Sequence, residues 1–233
     1  MLQRAGGRLT YASAAFPSTV KPKNYRTEFR TRFSEALLAK RVLITEGRTE
    51  YDAIPAAARR LSELHSTECK TLECLGIAVF NAETDSQVAA LGKYFTDLGK
   101  MVFAVFDMQT DDSRAAITTS VAHLFESPEK GLENLILKST AEPALQRYAI
   151  AVVAAGDWPQ HLAACAPTST MPIVELRDAL SQYFKWSKGS GSIADLLGQC
   201  SKQEMPPFIV ATLTSIQSIS EPPPTAAEAS DDG

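Results

Sequence analysis

The sequence predicts an α/β fold built on a mostly parallel four-stranded sheet flanked by helices, and three observations predict it. Val42-Leu43-Ile44-Thr45 is a short β-branched run followed by an Ala-rich segment of helical composition. Glu73 to Ala82 repeats the alternation, a strand-like run leading to a helical one over Gln87–Leu98. Met101-Val102-Phe103-Ala104-Val105-Phe106 is apolar without interruption, as strands buried on both faces are. Strands separated by helices at these distances imply right-handed crossovers and parallel pairing.

Each element follows in order. Residues 1–24 mix Gly, Ser, Ala, Pro and basic side chains without a period, which reads as a flexible basic segment. Tyr25 to Lys40 is helical, with Phe29, Phe33, Leu37 and Leu38 on one face. After the Val42 strand comes a helix over Ala53–Leu64. Thr84-Asp85-Ser86 offers an N-cap to the Gln87 helix, and Gly99 a C-cap. Ala115–Ser120 is a short helix and Val121–Phe125 a short fourth strand. From Gly131 to Phe184 the strand pattern stops: Leu132–Leu137, Ala144–Ala155, Trp158–Ala164 and Ile173–Phe184 are helical, broken at prolines and at Gly156-Asp157. The expected organisation is therefore an α/β core over 25–134, a small helical subdomain over 135–184, and a return to the core over 185–220. That return carries the loop Lys185-Trp186-Ser187-Lys188-Gly189-Ser190-Gly191-Ser192 and helices at Ile193–Gln199 and Phe208–Ile219. Residues 221–233 read as a disordered tail.

At 233 residues the chain is long enough for one generous α/β domain. Its net charge of −4 is unevenly placed: residues 1–41 hold nine Lys/Arg against Glu28 and Glu35, leaving 14 of the 23 basic and 25 of the 27 acidic residues to the remainder. A basic arm beside an acidic body suits phosphate contact or a solvated linker alike. Cys69, Cys74, Cys165 and Cys200 form no CxxC pair and have no His at metal-ligand spacing, so a zinc site and a disulfide framework are both disfavoured. Reduced thiols, the absence of a run of about 18 apolar residues and the lack of a signal peptide lead us to expect a cytoplasmic protein without membrane contact.

Glu46 and Gly47 fall at the turn from the first strand to its helix, the edge where open α/β sheets place their sites. Glu50, four residues on, can face the same space. Two carboxylates there suit a hard metal ion, and equally suit a helix start, where acidic residues complement the dipole. Asp107 ends the third strand at the same edge. Carboxylates at neighbouring strand ends approach each other readily only around a cation; alone, Asp107 would read as the start of a polar turn. No GxxxxGK[ST] loop occurs. His65, His123 and His161 have no partners in sequence.

A strand ending in Glu-Gly, then one ending in Asp at this distance, resembles the TOPRIM domain of topoisomerases, primases and some nucleases. More closely, Ile44-Thr45-Glu46-Gly47-Arg48-Thr49-Glu50, Val105-Phe106-Asp107, Glu126 to Leu135 and Lys185 to Leu197 together are similar to the C-terminal half of OLD-family (overcoming lysogenization defect) endonucleases, over about residues 40–200.

The resemblance implies a phosphodiesterase that cleaves DNA with two Mg²⁺ or Mn²⁺ ions. Glu46 and Asp107 would hold one ion, Glu50 would help hold the second, and Glu133 would complete it, with Glu126 and Glu129 as substitutes. Lys188 resembles the family's lysine before a Gly-rich loop, where a positive charge meets the phosphate; Lys185 is the runner-up. Where the general pattern has a second Asp, this chain has Gln109, and Asp111 is the expected compensating ligand. OLD-family proteins carry an ABC-type ATPase ahead of this region, so the chain is expected to be a nuclease half, with that ATPase as its partner in the full-length protein; a homodimer is left open. The rivals are another TOPRIM activity and a non-catalytic interaction domain.

Overall fold

The structure is a computed structural model and describes residues 2–5, 8–18 and 27–221. Four parallel strands form the central sheet: β3 (Arg41–Thr45), β4 (Ile77–Asn81), β5 (Met101–Phe106) and β6 (His123–Glu126), in the order β4-β3-β5-β6. The chain moves outward from β3 to β4, then crosses back to β5 on the other side. The C-terminal ends of β3 and β5 therefore flank the switch point, where open sheets leave a crevice. In register, Thr45 lies beside Val105, so the residues that follow each strand, Glu46 and Asp107, emerge together.

The sheet divides the core by strand alternation. Val42, Ile44, Phe80, Val102, Ala104 and Phe106 face α1 (Thr27–Leu38), α3 (Asp85–Asp97) and α4 (Asp111–Thr118). Leu43, Ile77, Phe103 and Val105 face α2 (Arg48–Leu64) and the helices that follow β6. These are α5 (Leu132–Ser139), α6 (Glu142–Ala155), α7 (Ile173–Trp186), α8 (Ser192–Leu197) and α9 (Pro207–Ser220), with a 3-10 turn at Gln160–Cys165. Residues 135–184 are helical as expected, but their buried side chains belong to one core with α2 and the sheet. Each fully buried Leu, Ile or Phe in that shared core is worth about 1.5–3 kcal/mol.

On α2, Ala53, Ile54, Ala57, Ala58 and Leu61 form a buried stripe at helical spacing, and Glu50 heads the same stripe. The alanines bring α2 close to the sheet. At the far end of α3, the Lys100 and Gly99 amides bond the Phe95 and Thr96 carbonyls, a Schellman closure. The buried Lys100 ammonium donates to Leu37 O (2.8 Å) and Ala39 O (2.5 Å), capping α1; burial lowers its pKa.

Several boundaries differ from the sequence pattern. Leu2–Ala5 (β1) and Arg8–Tyr11 (β2) pair antiparallel within the segment read as irregular. The second sheet strand starts at Ile77, because a turn through Gly76 occupies residues 71–76. Helix α4 starts four residues early, at Asp111, because Thr110 Oγ1 accepts from the Ser113 amide. The expected tail beyond Glu221 lies outside the described residues. Among the described residues no helix is long and apolar enough to cross a membrane, and the four cysteines are free.

Candidate metal centre

Glu46 leaves β3 as its amide donates to Val105 O, which extends the β3–β5 ladder by one step. Its Oε2 accepts from the Asp107 amide (3.1 Å) and from Gln109 Nε2 (2.9 Å), so Glu46 lies across the ends of both strands. Gly47 then caps α2 in an extended conformation. A Cβ at Gly47 would stand 2.9 Å from Glu50 Oε2, so the absence of a side chain there is what admits the Glu50 carboxylate.

Glu50 is only 6% exposed. Burial, above all, pushes its pKa to about 7; the charges of Asp107, Glu133 and Glu46 push the same way, and its own backbone amide opposes them. Asp107 rises to about 6, first through burial and then through Glu46 and Glu133, against the Gly131 amide and Lys188. Gly131, at φ +88°, caps α5 and donates to Asp107 Oδ2 at 2.8 Å. That left-handed backbone strains any residue with a Cβ. Glu133, in the first turn of α5, accepts from Thr49 Oγ1 (3.1 Å) and stands 3.7 Å from Lys188 Nζ. Lys188 is exposed on the loop after α7, which Ser187 and Ser192 pin through a buried hydroxyl pair at 2.8 Å.

The structure thus brings Glu46, Glu50, Asp107, Glu133 and Lys188 into one electrostatic cluster. It does not bring in Asp111, which is fully exposed in the first turn of α4 and paired with Arg114 at 3.0 Å. Gln109 fills the expected position of the second Asp as a hydrogen-bond donor. Glu126 is committed elsewhere: it accepts from Arg114 Nη2 (2.8 Å), Arg114 Nε and the Gln109 amide (2.8 Å), and Arg114 holds its carboxyl below the usual range. Glu129 pairs with Lys138 at 2.6 Å. Of the three candidates Glu126, Glu129 and Glu133, only Glu133 couples to Glu50 and Asp107. Thr49 and Gly131 were not singled out by sequence; their roles depend on contacts across 84 and 24 residues.

The residues fit a divalent cation. Every donor is a hard oxygen, and Asp107 Oδ1 is buried without a hydrogen-bond partner. Among the described residues no three His, Cys, Asp or Glu side chains already enclose one point at ligand distance. The explanation lies in the hydrogen bonds: Glu46 is turned to Gln109 and Asp107, and Glu133 to Thr49. The buried Asp107 Oδ1 and the mutual repulsion of the carboxylates both favour a cation among them. A cavity between Leu61, Lys202 and Gln217 lies at the other end of α2 and holds none of them.

Residues 37–108, which include Glu46, Glu50 and Asp107, match the family described as overcoming lysogenization defect protein-like, TOPRIM domain. Two structures of the C-terminal region of the Xanthomonas campestris pv. campestris OLD protein share the fold. The iodine-phased one is 15% identical, covers 78% of this chain and 96% of its own, and has a TM-score of 0.54. The platinum-phased one is 14% identical, with 80% and 96% coverage and a TM-score of 0.52. No curated protein matches the chain. Residues 37–108 therefore resemble an OLD-like TOPRIM domain, and the chain shares its parallel α/β fold with the C-terminal region of the Xanthomonas OLD protein.

Proposed function

We propose that the chain is a metal-dependent phosphodiesterase that nicks or cleaves DNA. The observation that carries the reading is the buried, unpartnered Asp107 Oδ1 set among Glu46, Glu50 and Glu133, with a lysine at the rim. Mg²⁺ or Mn²⁺ ions held by these four carboxylates would supply an activated water and neutralise charge on the attacked phosphate. Glu46 and Asp107 would hold one ion, and Glu50 and Glu133 the second. Gln109 fixes the Glu46 carboxylate, and the Gly131 amide holds Asp107 Oδ2 while Oδ1 stays buried and unpartnered. Lys188, exposed beside Glu133, offers a point charge to the phosphate or the leaving oxygen. With DNA as substrate, an acidic body relies on ions, on Lys188 and on its basic N-terminal arm for affinity. The OLD likeness also supports an ATPase domain as partner in a full-length protein.

Gln109 in place of a second Asp favours one other reading, a TOPRIM domain that binds a partner and does not cleave. Conversion of supercoiled plasmid to nicked and linear forms in Mg²⁺, Mn²⁺ or EDTA separates the two. Cleavage that needs a divalent ion and falls by about 100-fold or more in Glu46→Ala and Lys188→Ala supports the phosphodiesterase. No cleavage with either ion leaves the binding domain.

A further inference from the structure

Helix α7 ends on Trp186, which is 54% exposed although it is among the largest apolar side chains in the protein. The indole is held in place. Its ring lies 5.9 Å from Tyr183 and 6.0 Å from His161, and Tyr183 is itself stacked on Trp158 at 5.1 Å and 11°. A preordered aromatic face costs a ligand little entropy to use. Two exposed lysines flank it, Lys185 on the preceding residue and Lys188 two residues on. At most about 7 Å separates the Cα atoms of Trp186 and Lys188, so a base near a phosphate held by Lys188 is within reach of the indole. Apolar protein partners do not favour a platform with a lysine on each side, whereas nucleic acid, with π-faces between phosphates, suits it.

We propose that Trp186 is a stacking step for one unpaired base, so that the site takes single-stranded or frayed nucleic acid next to the scissile phosphate. This rests on the phosphodiesterase reading above. Bases in an intact duplex are already stacked and offer no free face, while base–aromatic stacking contributes about 1–3 kcal/mol per base on a single strand.

The test is binding of a fluorescently labelled single-stranded oligonucleotide and of a blunt hairpin duplex in EDTA, by anisotropy, for wild type, Trp186→Ala and Trp186→Phe. Trp186→Ala should weaken single-strand binding by about fivefold or more and move duplex binding little, and Trp186→Phe should retain most of the affinity. Matching circular dichroism melts exclude a folding defect. Unchanged binding in Trp186→Ala, an equal loss on the duplex, or a loss in Trp186→Phe as large as in Trp186→Ala would overturn the proposal, as would a wild type that binds no single strand. Plasmid cleavage is scored separately. Cleavage kept in Trp186→Ala with unaltered strand binding removes the stacking step and leaves the phosphodiesterase; Trp186-dependent strand binding without any cleavage does the reverse.

Discussion

Gln109 Nε2 donates to Glu46 Oε2 at 2.9 Å, at the position where the general TOPRIM pattern carries a second aspartate. The amide keeps Glu46 in place without adding a negative charge, so the cluster repels itself less and attracts a cation less. Gln109→Glu should therefore bind Mn²⁺ about tenfold more tightly by calorimetry and melt at a lower temperature in EDTA. A variant with weaker Mn²⁺ binding would show that the amide itself is a ligand.

Glu50 and Asp107 make stability depend on pH in an unusual direction. Their carboxyls titrate at about 7 and about 6 in the fold, against ordinary values of 4.5 and 3.8. Between the two sets of values the folded protein binds more protons than the unfolded chain, so stability falls as pH rises from about 4 to about 7. In EDTA the melting temperature should drop across that range, through a loss on the order of a few kcal/mol. Saturating Mg²⁺ should flatten the drop, because the ion replaces the protons. A melting temperature that rises from pH 5 to pH 7.5 in EDTA would contradict the assignment.

Glu126 ends β6 and Glu133 lies in the first turn of α5, and the two should behave differently. Glu133→Gln should abolish the stabilisation by Mn²⁺ in thermal melts and lose cleavage. Glu126→Gln weakens a partly exposed pair with Arg114, so it should lower the melting temperature and leave the Mn²⁺ response intact.

Two glycines test the cage without touching a carboxylate. Gly131→Ala places a Cβ at φ +88°, which costs about 1–3 kcal/mol, and disturbs the amide that orients Asp107. Gly47→Ala drives a methyl group into Glu50 Oε2 and should cut cleavage by about tenfold or more with the fold retained. Urea titration for the first and plasmid cleavage for the second measure these effects.

The sheet was legible because its two central strands, β3 and β5, are short apolar runs each followed by a carboxylate, and their register then aligns those ends. Glu50 carried a further signal: it lies in line with Ile54, Ala57 and Leu61, so an acidic residue sits where the helix is otherwise apolar. The β1–β2 pairing was not legible, since Leu2–Ala5 and Arg8–Tyr11 are four-residue strands without clear alternation. Asp111 is near Asp107 along the chain but not in space, because Thr110 starts a helix there and Asp111 is left in solvent. Glu133 is preferred to Glu126 in sequence by its place inside the helical run; that Arg114 pairs with Glu126 is a contact with no linear mark.

The partners at this centre lie far apart in the chain: Glu46 meets Gln109 across 63 residues and Thr49 meets Glu133 across 84. Closing loops of this length precedes any reward from the contacts they make, which slows folding relative to the local helices. During synthesis, the strand bearing Glu46 is made long before Glu133 and Lys188. A growing chain therefore cannot complete this centre until Glu133 has emerged and α5 can dock, so the order of translation itself delays the full negative centre until all four strands of the sheet have been made.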